Sequence, residues 1–421
     1  MKNLIKSVRG MPDIAPPQSS LWAQVEKCAR EVFSFYGFEE LRTPILEPVE
    51  LFVRGVGENT AIVEKEMYTL TDKSENKLAM RPEGTASIVK SYIANIDSND
   101  PLARYYYIGP MFRYERPQKG RQRQFHQIGV ELLGVETPHA DAEVIVMLTH
   151  LLKELGIEDW KLKINSLGCD DCRPTFQKQF FAFLKDKVAK DLCPDCQRRM
   201  GKNPLRVLDC KNSDCQKLLV DAPTIGDFWC EKCVTHFDSL KSILSAVGVL
   251  YEVETRIVRG LDYYVRTAFE FVSGALGAQD AIAGGGRYDG LVKALGGPDV
   301  AGVGWALGLE RLMLILESLN LSKPKTKPFI YFALIGEKSL QAVLPIIQRI
   351  RRDGVCVEWD YMQRSLKSQM RRADKLGAQT VVIIGDEELS KGMAIVRDMH
   401  SKQQREVLIK DLPMHFVDIE M

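Results

Sequence analysis

The chain has 421 residues, which is enough for two or three domains that each have a core of their own. Apolar residues make up 45% of it and charged residues 27%, proportions typical of a soluble globular protein. The net charge of +1 excludes a general attraction to nucleic acid, so any such contact must come from local basic patches. The first residues lack the apolar stretch of a signal peptide, and no apolar run is long enough to cross a membrane. These features predict a cytoplasmic protein without a membrane anchor.

The amino-terminal part begins with a helix and contains a charged turn. Apolar residues at helical spacing predict a helix over residues 19–35, followed by a strand pattern that ends at Pro44. Further on, the segment MRPEGT at residues 80–85 places an acid beside a glycine turn, directly before a second predicted helix. Glu83 in this turn is a candidate ligand for an amine, and an acid favoured by the helix dipole is the alternative interpretation.

A long hairpin with an unusual charge pattern follows. Two runs rich in aromatic and β-branched residues, 105–114 and 125–133, flank a polar loop that contains Pro117 and Gly120. Arg113 lies within the first run, and more cations crowd the loop: Arg116, Lys119, Arg121 and Arg123. A planar guanidinium pairs two oxygens at once, so this arrangement suits a bound polyanion. A solvated hairpin with ordinary surface charge is the alternative.

The return strand and a glycine-rich turn supply further candidate site residues. Gln127 and Glu131 are four residues apart on the predicted strand, so both side chains point to the same face. The segment AGGGRYDG at residues 283–290 is a turn that allows a close approach of the backbone. Read with its neighbours, this turn indicates several guanidiniums that converge on a phosphate chain: Arg259, Arg287 and Arg311.

The carboxyl-terminal part has a different pattern. Lysines and prolines over residues 322–328 predict a linker, after which strands and helices alternate as in a small α/β domain. The residues alone thus predict a protein of at least two domains, whose larger part binds a phosphorylated ligand.

Segments of the chain resemble, in the same order, the signature blocks of histidyl-tRNA synthetases of the bacterial type, which are class II aminoacyl-tRNA synthetases. They are RGMPDI (9–14), RTPILEP with ELFVRGVGE (42–58), MRPEGTAS (80–87), MFRYERPQKGRQRQFHQIGVE (111–131), VRGLDYYVRTAFEF (258–271), AGGGRYDGLV (283–292) and GVGWALGLERL (302–312). LDYY and AGGGRYDG resemble blocks specific to the histidine enzymes rather than general class II motifs. The resemblance extends to about residue 317, and the terminal domain lies where that family carries its anticodon-binding domain.

The resemblance implies an α+β catalytic core, with an antiparallel sheet flanked by helices, a helical insertion and a small carboxyl-terminal α/β anticodon-binding domain. It also implies a homodimer, because residues 38–57 resemble motif 1, the edge motif of class II dimers. The expected domains are the first part of the core with motifs 1 and 2 (1–168), the cysteine-containing insertion (169–240), the second part of the core with motif 3 (241–321), the linker (322–328) and the anticodon-binding domain (329–421).

The implied activity is a two-step ligation that serves translation. ATP-dependent activation of L-histidine gives histidyl-adenylate, and the histidyl group then passes to the 3′ end of tRNA(His). Mg²⁺ is expected to bridge the outer phosphates of ATP. By the resemblance, Arg113 and Arg259 are the catalytic residues on opposite sides of the α-phosphate, and Arg311 holds the γ-phosphate.

The resemblance also assigns contacts to the other substrates. Six residues surround the histidine, three at its α-amino group and three at its imidazole: Glu83, Thr85 and Gln127, then Glu131, Tyr264 and Tyr288. Gln118 and Arg123 in the hairpin loop resemble positions near the acceptor end of the tRNA. In the terminal domain, the basic face of a predicted helix over residues 365–376 is expected to meet the tRNA backbone, with a solvated helix as the alternative.

The cysteines lie mostly in the insertion. Ten cysteines in a cytoplasmic chain predict free thiols rather than disulfides. Three CxxC pairs have a spacing that fits a four-thiolate zinc ribbon, and the candidate ligands are Cys193, Cys196, Cys230 and Cys233. The resemblance favours free thiols over zinc, because the insertion of that family commonly carries cysteines without a family-wide metal requirement.

Two alternative functions share the same core. The synthetase-like regulatory subunit of ATP phosphoribosyltransferase lacks the terminal domain and tends to lose the histidine-specific arginine. A tRNA-binding or stress-sensing module without catalysis is the other. Arg113, Arg259 and Arg311 are all present in this chain, which disfavours both alternatives.

Overall fold

The structure is a computed structural model that describes residues 5–417 apart from residues 59, 98, 203, 209, 211, 259–260, 277–280 and 322–328. The chain divides into two compact units, Met1–Lys323 and Pro324–Met421. The division falls within the predicted linker, whose residues lie outside the described ones. Among the described residues, no helix combines the length and the apolar character needed to cross a membrane.

Within the described residues, the first unit contains an eight-stranded sheet and a separate sheet of three strands. Its strands are β1 (Glu39–Glu40), β2 (Leu46–Pro48), β3 (Tyr68–Thr71), β4 (Lys77–Met80), β5 (Ala103–Phe112), β6 (Gln124–Leu133), β7 (Lys161–Ser166), β8 (Glu252–Val253), β9 (Val265–Val272), β10 (Ala281–Arg287) and β11 (Gly302–Gly308). The large sheet has the order β1-β5-β6-β11-β10-β9-β7-β8, and the small one β2-β4-β3. The six inner strands of the large sheet are antiparallel, and one strand pairs parallel to its neighbour at each edge. The predicted α+β core with an antiparallel sheet is confirmed.

The helices of this unit flank the sheets or belong to the insertion. They are α1 (Gln18–Phe35), α2 (Val49–Val56), α3 (Thr85–Asn95), α4 (Pro138–Glu154), α5 (Arg173–Phe183), α6 (Pro194–Lys202), α7 (Ser213–Leu218), α8 (Glu231–Ala246), α9 (Leu291–Ala294) and α10 (Leu309–Ser318). Short 3₁₀ or π-helical turns are Ile62–Glu66, Leu184–Val188, Pro204–Val207, Ile225–Phe228 and Gly274–Leu276. Apolar side chains of α1, α4, α8 and α10 form the main core with one face of the large sheet.

The two faces of the sheet separate the core from the candidate site along β6. Ile128, Val130 and Leu132 belong to the main core. Because side chains alternate along a strand, Gln127 and Glu131 point to the opposite face. The register pairs these two residues with Gly308 and Gly304 of β11, so no neighbouring side chain on that strand competes for their space.

The second unit is a small α/β domain. Its strands are β12 (Phe329–Leu334), β13 (Cys356–Trp359), β14 (Thr380–Ile384), β15 (Met393–Asp398) and β16 (Gln404–Leu408), and its helices are α11 (Glu337–Arg352), α12 (Leu366–Leu376), α13 (Asp386–Lys391) and α14 (Leu412–Val417), with a 3₁₀ turn at Ile409–Asp411. The sheet order is β13-β12-β14-β15-β16, parallel for the first three strands and antiparallel for the last two. The predicted basic helix is α12. Ala373 of this helix packs against the sheet, and the side chain of Gln369 is fully buried and donates from Nε2 to the carbonyl of Leu334 at 2.8 Å.

The cysteine-containing insertion folds around a small core of its own, formed by α5, α6, α7 and the turns between them. Its cysteines gather in two groups of four, Cys169, Cys172, Cys230 and Cys233 in one and Cys193, Cys196, Cys210 and Cys215 in the other. The predicted set, which joined Cys193 and Cys196 to Cys230 and Cys233, is therefore wrong. The fold brings the first CxxC pair of the insertion to the last one, while the middle pair meets the two single cysteines.

A buried ion pair connects β10 to α4. Arg287 and Asp141 are both fully buried, and Nη2 and Nε of the arginine lie 2.8 and 3.0 Å from Oδ1 of the aspartate. Nη1 of Arg287 donates to the carbonyl of Val135 at 2.9 Å and to Asp289 at 3.0 Å, and Thr267 also donates to Asp141. Every nitrogen of this guanidinium thus has a partner within the protein. The interpretation of Arg287 as a phosphate ligand is wrong.

We expect Arg287→Met to lower the free energy of unfolding by about 3–5 kcal/mol, because it leaves the charge of Asp141 buried without its partner. Urea titration followed by tryptophan fluorescence measures the change. Lys293→Met is the matched control, since it removes a cation whose ion pair with Asp299 is exposed to solvent, and it should change little. Equal losses in the two variants would contradict the structural role of Arg287.

Candidate active site

The acid predicted to bind an amine lies at the start of α3. Glu83 is buried, and its carboxylate accepts hydrogen bonds from the backbone N–H groups of Thr85 and Ala86, both at 2.8 Å. Burial raises the pKa of Glu83, while these bonds and the charge of Arg113 oppose the shift. The carboxylate therefore stabilises the N-terminus of the helix, as the alternative interpretation held. Its role toward an amine stays a prediction.

A second buried carboxylate lies at the centre of the sheet. Oε1 of Glu131 accepts a hydrogen bond from the hydroxyl of Thr85 at 2.7 Å, and Oε2 accepts one from the hydroxyl of Tyr288. Burial raises the pKa of Glu131 to about 8, although both hydroxyls favour its charged form. A Cβ at Gly304 on the neighbouring strand would lie 2.0 Å from Oε2, so only glycine leaves room for this carboxylate.

Tyr107 is part of this site and was not predicted from the sequence. A Cβ at Gly84 or at Gly129 would lie 2.2 or 2.3 Å from its ring, so the ring lies between these two glycines. Its hydroxyl is buried and has no hydrogen-bond partner among the residues that the structure describes. Burial, reinforced by the charges of Glu131 and Glu83, raises the pKa of Tyr107 well above its usual range. A buried polar atom of this kind needs a partner, and a polar ligand can supply it.

Two more polar atoms are in the same condition. Oε1 of Gln127 and the hydroxyl of Tyr263 are buried, and neither has a hydrogen-bond partner in the described part of the chain. Burial raises the pKa of Tyr263, and the charges of Glu83 and Glu131 raise it further, which indicates that Tyr263 lies near both buried acids. Gln127 was predicted to be a site residue and Tyr263 was not.

The predicted tyrosines of the site lie together. Tyr264 and Tyr288 are buried in one cluster with Leu133. The ring of Tyr263 contacts both, with centroids 4.6 Å from Tyr264 and 5.7 Å from Tyr288. The fold thus gathers tyrosines from β5, from the segment before β9 and from the residue after β10 around Glu131. Only two of these tyrosines, Tyr264 and Tyr288, were predicted from the sequence.

Arg113 follows directly after β5 and lies beside this pocket. Its Nε donates to the carbonyl of Pro82 at 2.8 Å, and its guanidinium lies over the ring of Phe125, 5.3 Å from the centroid. Among the described residues, no carboxylate forms an ion pair with Arg113. One edge of the guanidinium is held in place, which positions its terminal nitrogens for an anion.

Arg311 lies in the first turn of α10. Nη1 donates to the carbonyl of Ala281 at 2.8 Å, and Nε donates to the carbonyl of Gly120 in the hairpin loop at 3.4 Å. Burial lowers the pKa of Arg311, and the charges of Arg121 and Arg113 lower it further. These three cations therefore lie in one electropositive region, which suits a chain of phosphates.

Two acids border the same region. The charges of Glu115 and Glu270 act on Arg311 and oppose the lowering of its pKa. Glu115 also forms an ion pair with Arg121 at 2.9 Å. Carboxylate oxygens beside a phosphate site are the ligands that Mg²⁺ prefers, so this donor set fits the expected cation.

The hairpin loop is closed by its own backbone and by the amino-terminal segment. The N–H groups of Gln118 and Arg121 each donate to the carbonyl of the other, at 3.0 and 2.9 Å. The side chain of Arg123 lies over the ring of Tyr114, 4.0 Å from the centroid, and its N–H donates to the carbonyl of Gly10 at 2.8 Å. The loop thus places Gln118 at its turn and Arg123 at its base.

The structure brings together most of the predicted site residues, namely Glu83, Thr85, Arg113, Gln127, Glu131, Tyr264 and Tyr288, with Arg311 in the adjoining electropositive region. Gln118 and Arg123 lie in the loop that borders it. Arg259 is outside the described residues, so its predicted place opposite Arg113 stays a prediction.

We expect Glu131→Gln to change the pH dependence of stability. Folding raises the pKa of Glu131 from 4.5 to about 8. The protonated carboxyl therefore contributes its full stabilisation at pH values below the unfolded-state pKa of 4.5, and this contribution is lost as the pH rises toward 8. Urea titrations between about pH 5 and about pH 8 should show a steeper loss in the wild type than in the variant, which cannot ionise. Glu143→Gln, at a half-exposed position, is the control and should follow the wild type. Parallel curves for wild type and Glu131→Gln would contradict the raised pKa.

The sequence and the fold have clear relatives among known proteins. Residues 10–312 match the family model described as histidyl-tRNA synthetase, and residues 330–418 match the one described as anticodon binding domain. The histidine--tRNA ligase of Thermodesulfovibrio yellowstonii is 50% identical over 406 residues, which cover 96% of each chain. The histidine--tRNA ligase of Geobacter sulfurreducens is 48% identical over 405 residues, or 96% of this chain and 97% of the relative.

Solved structures agree with these matches. The apo histidyl-tRNA synthetase of S. aureus is 34% identical and superposes with a TM-score of 0.83, over 99% of this chain and all of that one. The histidyl-tRNA synthetase from Nostoc, at 21% identity and a TM-score of 0.71, shares the fold over 98% of this chain and 99% of its own. Family models and relatives thus agree along nearly the whole sequence, and the chain belongs to the histidyl-tRNA synthetase family.

Proposed function

We propose that this chain is the ligase that activates L-histidine with ATP and transfers it to the 3′ end of tRNA(His) for translation. The observation that carries the proposal is the buried carboxylate of Glu131, held by the hydroxyls of Thr85 and Tyr288 beside an electropositive region. A polar pocket for a small amino acid thereby adjoins a region suited to a triphosphate.

The chemistry needs little from the protein beyond positioning. In the first step, the carboxylate of histidine attacks the α-phosphorus of ATP, histidyl-adenylate forms and pyrophosphate leaves. In the second, a ribose hydroxyl of the terminal adenosine attacks the carbonyl of the adenylate, an ester forms and AMP leaves. Each substrate brings its own nucleophile, so catalysis comes from orientation and from stabilisation of phosphate charge.

The arginines supply that stabilisation. Arg113 is proposed to bind the α-phosphate, because its Nε is fixed to the carbonyl of Pro82 and its charge acts on Glu83 in the pocket. Arg259 is proposed to bind the same phosphate from the opposite side, and Arg311 to bind the γ-phosphate. Glu115 and Glu270 are the residues that would hold Mg²⁺, and the bound ion would neutralise phosphate charge.

Recognition of histidine combines the two buried acids with amide and hydroxyl groups. Glu83, Thr85 and Gln127 are proposed to face the α-amino group, and Glu131, Tyr264 and Tyr288 the imidazole. A neutral imidazole has one donor and one acceptor nitrogen, and Glu131 with a pKa of about 8 can take part as acid or as base. An apolar side chain of similar size would leave these buried groups unpaired, so the pocket should reject it.

We propose further that Tyr107 and Tyr263 belong to this pocket. Both hydroxyls are buried near the two acids and, like Oε1 of Gln127, have no hydrogen-bond partner among the described residues. The amino acid and its adenylate carry the polar atoms that would satisfy them.

The tRNA and the second subunit are proposed to use other surfaces. Gln118 and Arg123 are assigned to the acceptor end, and the second unit, with the basic residues of α12, to the anticodon arm. Exposed apolar side chains at Ile45 and Leu46, within the motif 1 segment, support a homodimer through this region. A role in translation would place the enzyme in the cytoplasm.

The proposed reaction is tested by histidine-dependent exchange of pyrophosphate into ATP. We expect robust exchange with histidine alone among the amino acids, and a loss of about 100-fold or more for Arg113→Ala and for Arg259→Ala, because each removes a donor to the transferring phosphate. Arg104→Ala is the control. Arg104 lies on β5, the strand that Arg113 follows, but it forms an ion pair with Glu143 at the surface.

The outcomes separate the alternatives. A folded protein that binds histidine but catalyses no exchange would favour the regulatory subunit and contradict the ligase. Exchange that survives Arg113→Ala or Arg259→Ala would keep the ligase and remove that arginine from its catalytic role.

Tyr107→Phe should separate binding from stability. Removing a buried hydroxyl that has no partner among the described residues should leave the unliganded fold unchanged or up to about 1 kcal/mol more stable. The same change should weaken histidine binding about 10-fold, because the ligand loses a hydrogen bond. Urea titration and equilibrium binding of histidine measure the two effects.

Tyr331→Phe is the matched control, because the hydroxyl of Tyr331 is also buried with no partner in the described part of the chain but lies in the second unit. It should affect stability in the same direction and leave histidine binding unchanged. Unchanged binding in Tyr107→Phe would remove Tyr107 from the pocket.

A further inference from the structure

Eight of the ten cysteines lie outside the proposed reaction site, in the two groups of four described above. We call the first group the base cluster, because it lies where the insertion leaves and re-enters the core: Cys169, Cys172, Cys230 and Cys233. The second group, within the insertion, is the inner cluster: Cys193, Cys196, Cys210 and Cys215. In each cluster, the four sulfur atoms all lie within 4.8 Å of one another.

The distances in the base cluster match a tetrahedral metal site. Sγ of Cys169 lies 3.6 Å from Sγ of Cys172 and 3.8 Å from that of Cys230, and Cys172 and Cys233 are also 3.8 Å apart. Four sulfurs that each lie about 2.3 Å from one central zinc ion are about 3.8 Å apart. A disulfide requires about 2.05 Å, so these thiols are not oxidised pairs.

Backbone groups support the same interpretation of the base cluster. The N–H of Cys230 donates to Sγ of Cys172 at 3.1 Å. A sulfur that accepts a backbone N–H is stabilised as a thiolate, and such contacts around the ligands orient them toward a metal. Both CxxC segments lie at a helix start, with Cys172 before α5 and Cys230 before α8.

The inner cluster repeats this pattern. Sγ of Cys193 and Sγ of Cys210 are 3.9 Å apart. The N–H of Cys193 donates to Sγ of Cys215 at 3.2 Å, and the N–H of Asn212 donates to Sγ of Cys210 at 3.5 Å. Four thiolates with no acid or histidine among them form a closed set, which is typical of a structural rather than a catalytic zinc site.

The insertion also needs such a stabilising element. Its own core has few buried apolar residues, and three of them are cysteines of the inner cluster: Cys196, Cys210 and Cys215. Small modules that cannot bury enough apolar surface commonly depend on a metal or on disulfides. Disulfides are excluded by the distances, which leaves the metal.

We propose that this protein binds two structural zinc ions, one in the base cluster and one in the inner cluster. Each Zn²⁺ displaces the protons of four thiols to solvent as it binds, and no redox step is involved. The proposal differs from the expectation of free thiols, because the sequence did not reveal that the fold completes two sets of four cysteines.

The base cluster also connects to the proposed histidine pocket. Arg173 begins α5 directly after Cys172, and its Nη1 donates to the carbonyl of Tyr264 at 3.0 Å. Trp229, which precedes Cys230, donates from Nε1 to the carbonyl of Ser166 at the end of β7. Zinc in the base cluster would fix both ends of the insertion beside the loop that carries Tyr264.

Metal analysis of the full-length protein tests the proposal. Protein expressed with zinc in the medium and purified under reducing conditions without chelator should contain two zinc ions per chain. Cys233→Ser and Cys210→Ser should each retain one, and the double variant none. Cys28→Ser and Cys356→Ser, at cysteines outside both clusters, are the controls and should retain two.

A second measurement on the wild type avoids variants that fail to fold. Replacement of zinc by Co²⁺ should give the visible absorption of tetrahedral cobalt bound by four thiolates, with two cobalt ions per chain. Wild-type protein without bound zinc, whose eight cluster thiols all react with a thiol reagent in the native state, would overturn the proposal. Iron in place of zinc, or zinc that persists in the double variant, would also overturn it.

Discussion

The structure of the candidate site depends on one carboxylate buried in the middle of a sheet. Glu131 has no ion-pair partner among the described residues, so its burial raises its pKa and is tolerated because two hydroxyls donate to it. Those hydroxyls come from α3 and from the residue that follows β10, and the space comes from Gly304 on β11. Four elements distant in sequence must therefore meet correctly before this one side chain is satisfied.

Much of the fold could be predicted because its signals are local. Helical periodicity placed the first helix at residues 19–35, within one residue of its observed bounds. The alternation along β6 likewise predicted that Gln127 and Glu131 share a face. The hairpin strands were predicted over residues 105–114 and 125–133 and are observed at Ala103–Phe112 and Gln124–Leu133, because composition predicts that a strand forms but not where its pairing ends.

The site was harder to predict where a role depends on distant partners. Tyr107 resembles any core tyrosine in a strand, and the signal that marks it is a pair of glycines, Gly84 and Gly129, from two other elements. Arg287 resembles a phosphate ligand in a glycine turn, yet Asp141 from α4 neutralises it. The cysteine pairs were grouped by order along the chain, whereas the fold joins the first pair to the last. Sequence spacing alone contains none of these three-dimensional relations.

The insertion leaves the core and returns to it at nearly the same place. Sγ atoms of Cys169 and Cys230, 61 residues apart in sequence, lie only 3.8 Å from each other, and the returning helix α8 contributes Phe237, Leu240 and Leu244 to the main core. A segment whose ends are already adjacent adds little closure entropy when its length changes. The catalytic unit therefore tolerates an insertion of variable size at this point, as a modular attachment, while the fold of the sheet stays the same.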